Sequence, residues 1–283
     1  FRQCFAKARL NAPNLQDCCA MHLLWKGMFP MIEIIVPGIY RHDNIVSGLT
    51  LRNQAAYPPN GLSVSATLSF PEEVCLHHRH DLCAHYAIPP DSLYIPQQVH
   101  GDTVIEITDT SPPLFEADAM ISCSTNVMLM VKLADCCGIV CYDPVRHVCG
   151  VAHAGWRGTE KNIAVRMIEQ MQMRYGSSFA DMRIWLSPCA SGKAYEVGAE
   201  VAERFPMSIT RDDKGRYFLD IRKENRQRLL SAGIIHDHIE SSEECTITDR
   251  RFHSYRRDKD KAGRMGCFVK LKPESRDNAE IHD

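Results

Sequence analysis

Apolar positions in this chain fall into short runs separated by turn residues, and two of those runs stand out. Residues 138–142 and 148–152 are rich in Val, Ile, Tyr and Cys and are joined by a turn at Asp143-Pro144, which predicts a pair of buried strands. Further strands are predicted at 32–36, 103–107, 119–121, 127–133, 183–187, 217–221 and 265–271. Another is predicted at 62–68, where Leu-Ser-Val-Ser-Ala-Thr-Leu alternates with the period of a half-buried strand. Helical spacing appears at 72–86, where Val74, Leu82 and Tyr86 follow Pro71. It recurs through Ile163, Met167, Ile168, Met171 and Tyr175, with Thr159 as the expected N-cap and Gly176 as the stop. Those Met residues keep step with Ile, so they read as core filler rather than as a copper-binding set. Helices are also expected from about 196 to 205 and over 223–232, the latter stopped by Gly233.

Length changes this picture little: 283 residues allow one large domain or two small ones, and a single domain over 31–273 is the simpler reading. Lys plus Arg total 33 against 35 Asp plus Glu, a net charge of -2, so no nucleic-acid surface is implied. The apolar run at 127–131 ends at Lys132, and nothing approaches the roughly 20 residues of a membrane helix, so a soluble protein without a membrane partner is expected. Thirteen cysteines, an odd number with adjacent pairs Cys18-Cys19 and Cys136-Cys137, read as reduced thiols of a cytoplasmic protein. Residues 1–30 carry no helical or strand period, and Met31 is the better start, so they read as an upstream extension or a poorly packed arm. A targeting peptide is the rival, with Arg2, Lys7, Arg9 and Lys26 against Asp17, but it lacks a continuous apolar core. Residues 274–283 read as a frayed tail.

Candidate chemistry gathers between residues 133 and 159, where Asp135, Cys136 and His153 stand at the ends of the two clearest strands, with His100 upstream in Gln97-Gln98-Val99-His100-Gly101. A thiol and an imidazole so placed are either metal ligands or a nucleophile and its base. Three soft or borderline ligands with room for water suit catalytic zinc. Against this, a free Cys is commonly an inert buried thiol, and a His before Gly is commonly a turn residue. Asp118 either orients a ligand histidine or caps a turn. The histidines His77, His78, His80 and His85 diverge around one predicted helix, which argues against a metal site there. Gly155-Trp156-Arg157-Gly158, ahead of a helix start, reads as an anion cradle. Arg256 and Arg257, beside Ser254 and Tyr255, suit a phosphate or carboxylate, or else form a solvated basic turn.

Taken together, Gln98-Val99-His100-Gly101, Ala117-Asp118-Ala119-Met120, Leu133-Ala134-Asp135-Cys136, the segment His153-Ala154-Gly155-Trp156-Arg157-Gly158-Thr159, Tyr195-Glu196-Val197-Gly198 and Phe252-His253-Ser254-Tyr255-Arg256-Arg257-Asp258 resemble the YfiH family. These are the laccase-domain or polyphenol oxidase proteins whose mammalian relative is FAMIN. The resemblance covers roughly residues 34–271. It implies an α+β, layered α/β single domain, a cysteine-hydrolase-like sandwich of mixed sheets with flanking helices. It also implies zinc on His100, Cys136 and His153, and a purine nucleoside enzyme that phosphorolyses adenosine, inosine and methylthioadenosine and deaminates adenosine. The older family label implies copper and phenol oxidation. This chain departs from the pattern at Cys137 and Gly138, where relatives commonly carry an apolar residue and Pro, at Ser187-Pro188-Cys189 in place of Gly-Pro, and at Ile247 in place of Tyr. Cys137 is thereby a competing thiol.

On this reading purine nucleosides and phosphate are the partners. Asp118 or Asp135 orients a ligand or moves a proton, and Arg157, Arg256 and Arg52 are the candidates for holding phosphate. Two other functions compete. A blue-copper-like oxidase uses two His and one Cys with a weak axial ligand. A cysteine amidohydrolase acting on peptidoglycan precursors uses Cys136 as nucleophile and His153 as base, and needs a free thiolate. The sequence carries no signal of oligomeric state.

Overall fold

The computed structural model describes residues 31–112 and 115–273. The described residues from Ile32 onward belong to one compact unit, as does every element below. The extension read over residues 1–30 and the tail read over 274–283 lie outside the described residues.

In chain order the strands are β1 (Ile34–Ile35), β2 (Ile45–Thr50), β3 (Leu93–Tyr94), β4 (Val104–Glu106), β5 (Ala119–Ser122), β6 (Met128–Leu133) and β7 (Cys137–Asp143). They continue with β8 (Val148–Ala154), β9 (Arg183–Leu186), β10 (Glu196–Val197), β11 (Ile209–Arg211), β12 (Tyr217–Leu219), β13 (Ile239–Ser241) and β14 (Met265–Leu271). The α-helices are α1 (Glu72–His85), α2 (Trp156–Glu160), α3 (Ile163–Tyr175), α4 (Ala199–Ala202), α5 (Ile221–Ala232) and α6 (Tyr255–Asp258).

Two mixed sheets make the body. One runs β1-β2-β14-β6-β3 and the other β13-β9-β7-β8-β5-β4, while β10-β12-β11 form a small third sheet. Most pairs are antiparallel, with parallel pairs at β3–β6, β4–β5 and β9–β13. Strand parity decides what each face covers. Leu129, Val131 and Leu133 of β6 meet Val140 and Tyr142 of β7 and Cys149 and Val151 of β8 in a dry layer between the sheets. Met128 and Met130 face the other way, under Leu82 and Cys83 of α1. Ile139 and Cys141 of β7 and Ala152 and Ala154 of β8 face Ile163, Met167, Ile168 and Met171 of α3 and Leu229 of α5. The result is four layers, α-β-β-α, each sheet apolar on both faces. Among the described residues no helix is long and apolar enough to cross a membrane.

Several local expectations give way to tertiary structure. Residues 62–68 form no strand: the Leu62 and Val64 amides donate to the Arg52 and Arg264 carbonyls instead of to a ladder, and Leu68 is 81% exposed. The helix expected from 196 is a strand first, because Glu196 and Val197 pair with Phe218 and Tyr217, and only α4 after Gly198 is helical. In α1 the buried face is mixed: His78 and Asp81 are buried beside Cys75, Leu82 and Cys83, while Val74 is 37% exposed. His78 Nδ1 meets the backbone of Ser63, and Asp81 accepts the Tyr57 hydroxyl at 3.2 Å.

Candidate metal centre

Strands β7 and β8 pair in one unbroken antiparallel register, Cys137 opposite Ala154 and Gly138 opposite His153, so the end of β8 lies beside the turn that precedes β7. His153 shares parity with Cys149 and Val151 and therefore faces the layer between the sheets, against which Cys136 also packs. His100 arrives from the loop before β4. Its φ of 57° and the φ of 91° at Asp135 place two non-glycine residues in the left-handed region, a strain that persists only where surrounding contacts enforce it.

Asp118 enforces it at His100. This carboxylate, fully buried at the start of β5, accepts the backbone amides of Val99 at 3.2 Å, His100 at 3.1 Å and Gly101 at 2.6 Å. It also holds His153 Nδ1 at 2.8 Å. One side chain thus fixes the His100 loop and the tautomer of His153, whose Nε2 is left to face the site. Asp135 is held as firmly: Thr246 Oγ1 donates at 2.7 Å, Ser254 Oγ at 3.0 Å and the Arg256 amide at 2.6 Å. Ser254 also caps α6 by accepting the Arg257 amide.

The donor atoms of His100, Cys136 and His153 all lie within 4.8 Å of one another. That is the scale of a single ion's coordination sphere, whose bonds run about 2.0–2.3 Å for zinc. The two imidazoles stand edge to face, 4.8 Å between centroids. Gly155 keeps the space clear: a Cβ there would sit 3.1 Å from Cys136 Sγ and 3.3 Å from His100 Cδ2. Two imidazoles and a thiol around a bare Cα fit a borderline-soft divalent ion such as zinc, and the same donors accept copper.

Electrostatics favour the ligand state of the thiol. Burial alone would push the Cys136 thiol up, but the His153 imidazole and hydrogen bonds from both histidines outweigh it and bring it down to about 6. Burial would likewise lower His153, yet the neighbouring Cys136 and the Asp118 hydrogen bond raise it to about 9. Burial opposes ionisation of Asp118 as well, and its hydrogen bonds from His153, Gly101 and Val99 hold it below the usual carboxylate range.

Cys137 does not compete. It faces the opposite side of β7, with its thiol against the Gly138 and Ser187 carbonyls and Cys189. The two glycines of the segment 155–158, read as an anion cradle, have packing roles as well. Helix α2 begins at Trp156 and is one turn long, Gly155 clears the donor cluster, and Gly158 allows close approach, since a Cβ would lie 3.3 Å from the Gly101 and His153 carbonyls. Thr159 is no cap either: it sits inside α2 and accepts Asn225 Nδ2 at 2.9 Å, while Asn162 precedes α3 in the left-handed conformation.

Of the three candidate arginines, Arg157 and Arg256 are exposed, Arg157 over the Trp156 ring at 4.2 Å and Arg256 over the Tyr195 ring at 5.1 Å. Arg52 is half-buried and spends its Nε on the Asn60 carbonyl at 2.9 Å. Burial, Cys136 and Asp135 push the Tyr195 hydroxyl up to about 12 against the lowering effect of Arg256 and Arg157, so the thiol and both exposed arginines lie within electrostatic reach of this one ring. Arg257, by contrast, donates inward to the Thr246 and Phe252 carbonyls and to Asp258. Arg264 is a member the sequence pattern did not reveal. It is half-buried, within electrostatic reach of Cys136 and Asp135 and lowered chiefly by burial. A lone Arg opening a strand carries no spacing signal.

A four-layer α/β sandwich with two histidines and a cysteine converging on one point defines a candidate metal-binding domain. The family model described as multi-copper polyphenol oxidoreductase laccase matches residues 53–272, and the chain belongs to that family, the laccase-domain or YfiH proteins. Among its relatives, purine nucleoside phosphorylase YlmD of Bacillus subtilis is 36% identical over 163 residues, 55% of this chain and 59% of that protein. The purine nucleoside phosphorylase of Deinococcus radiodurans is 33% identical over 221 residues, covering 77% and 85% of the two chains. Among solved structures, the hypothetical protein YfiH of Bacillus licheniformis superposes with a TM-score of 0.78 at 28% identity, covering 84% of this chain and 96% of that one. YlmD of Geobacillus stearothermophilus also superposes at 0.78, with 26% identity and coverage of 83% and 94%.

Proposed function

We propose that this chain is a zinc-dependent purine nucleoside phosphorylase acting on adenosine, inosine and methylthioadenosine, with an accompanying adenosine deaminase activity. The observation that carries the reading is the convergence of His100, Cys136 and His153 beside the bare Cα of Gly155, in a chain whose relatives are named purine nucleoside phosphorylases. Zinc bound by such donors lowers the pKa of a water molecule and supplies hydroxide near neutral pH.

In phosphorolysis a phosphate oxygen bonds to C1′ of the ribose as the C1′–N9 bond breaks, and the purine leaves with a proton. Arg157 and Arg256 hold the phosphate: both are exposed, both act electrostatically on Tyr195 as Cys136 does, and each is braced on an aromatic ring, the planar bidentate donors that an oxyanion takes best. Arg52 is a lesser contributor, its Nε already bonded to Asn60. Asp118 and Asp135 act by positioning. Asp118 orients His153 and the His100 loop, and Asp135 ties the turn carrying Arg256 to the residue before Cys136.

A second reading draws on one observation. Cys136, His153 and Asp118 also stand in the order nucleophile, base and orienting acid, with the thiol low and the imidazole high, as a cysteine amidohydrolase requires. Chelation separates the two. The phosphorylase loses turnover and regains it on adding zinc, whereas a thiol amidohydrolase keeps its activity without metal. The copper oxidase reading requires phenol oxidation by the copper-loaded protein.

A further inference from the structure

Away from the donor cluster, a cleft of about 450 Å³ opens between α1 and the end of β6, within the range of small-molecule sites. Its distinguishing group is Lys132. Lys132 shares the β6 face with Met128 and Met130, but lies past the cover that α1 gives them, and its side chain lines the cleft. The strand around it is fixed: Gln98 bonds its amide at 2.7 Å and its carbonyl at 2.9 Å. Among the described residues no carboxylate stands within ion-pair distance of the half-buried ammonium.

The other charges near it do not neutralise it. Arg79 is committed to the Val64 carbonyl at 2.9 Å and to Glu72 at 2.5 Å, which uses that acid. Arg264 and Arg79 both add positive potential at Lys132, outweighing Glu72 and Asp118. Asp91 lines the cleft but is exposed to solvent. The other walls mix the polar Ser65 and His80 with the apolar Val64, Leu76, Leu93 and Ile95. An uncompensated ammonium in a cleft that also presents the apolar side chains of Leu76 and Ile95 is matched by a ligand with one anionic head on an apolar or aromatic body.

We propose that the cleft between α1 and β6 is a binding site for a small organic anion, its carboxylate or phosphate on Lys132 and its body against Leu76 and Ile95. This site is separate from the phosphate position assigned to Arg157 and Arg256 and does not depend on the catalytic reading. Gln98, which clamps the Lys132 backbone, lies two residues before His100.

Calorimetric titration of the full, zinc-loaded chain tests this with three probes of one shape: benzoate, phenyl phosphate and the neutral benzyl alcohol. The proposal expects one or both anions to bind and benzyl alcohol not to, with affinity about tenfold weaker or more in Lys132→Met. Leu76 is 46% exposed, so Leu76→Trp fills the cleft without disturbing the core, and it too weakens binding about tenfold or more while leaving the melting temperature unchanged. The stronger of the two anions identifies the head group. No binding of either anion at millimolar concentration, equal binding of benzyl alcohol, or wild-type affinity in both variants overturns the proposal. Arg157→Ala with Arg256→Ala leaves the titration unaltered, and its loss in that double variant would assign the anion to the metal site instead.

Discussion

Asp118 Oδ1 lies 2.8 Å from His153 Nδ1 and 3.1 Å from the backbone amide of His100, so one carboxylate oxygen aligns two of the three donors from two different chain segments. Asp118→Asn keeps the shape but offers a single carbonyl oxygen to four donors, and its NH2 group then faces N–H groups. The expected result is zinc affinity about 10- to 100-fold weaker, measured by competition with a chromophoric chelator. Affinity equal to wild type would show that the loop and ring hold themselves.

Gly155 and Gly158 separate binding from folding. Gly155→Ala puts a methyl 3.1 Å from Cys136 Sγ and is expected to weaken zinc binding while thermal stability of the metal-free protein stays near wild type. Gly158→Ala meets backbone carbonyls of Gly101 and His153, which cannot move singly, so it lowers the melting temperature first. Chelator competition and thermal unfolding on both variants distinguish them.

His253 predicts how stability depends on pH. It is buried, its Nε2 donates to the Leu62 carbonyl at 2.8 Å and its Nδ1 accepts the Gly263 amide at 3.2 Å, so a proton on Nδ1 has no place to go. Burial is the main cause that holds it down, at about 4. Above the ordinary value near 6.5 His253 is neutral in both the folded and unfolded states and contributes no pH dependence. Below it the unfolded chain takes up the proton first, so stability falls as pH drops from about 6.5 to about 4, by on the order of 3 kcal/mol in full. Denaturant unfolding across that window is expected to be shallower in His253→Gln than in wild type.

Arg256 and Arg257 are adjacent, yet they are expected to fail differently. Arg256 has a single carbonyl partner, Glu196, and stands exposed on Tyr195, so Arg256→Ala raises KM for phosphate several-fold at unchanged stability. Arg257 satisfies the carbonyls of Thr246 and Phe252, and Arg257→Ala leaves them unpaired, costing about 1–3 kcal/mol. Steady-state kinetics with varied phosphate, beside thermal unfolding, makes the comparison.

The sequence pattern was most informative where a residue's neighbours in sequence are also its neighbours in space. The runs 138–142 and 148–152 pair as expected, because a tight turn and two apolar faces leave one register. Cys136 and His153 were visible as residue types at strand ends and His100 as an upstream candidate in a turn, and the fold brings the three together. What pattern could not show was decided at a distance. Thr159 looks like a cap, but it is taken by Asn225, 66 residues away. Residues 196–197 carry helical spacing, yet pair with β12. At Gly138 the space a Cβ would need is filled by Cys267 and Leu133, both from the other sheet.

The most direct test of the central claim is chromatographic product analysis after incubating the zinc-loaded protein with adenosine, with and without phosphate, beside a Cys136→Ala control. The account predicts adenine and ribose 1-phosphate only when phosphate and Cys136 are both present, with inosine formed in either condition. No turnover of adenosine by the zinc-loaded protein, or equal turnover by Cys136→Ala, would contradict it.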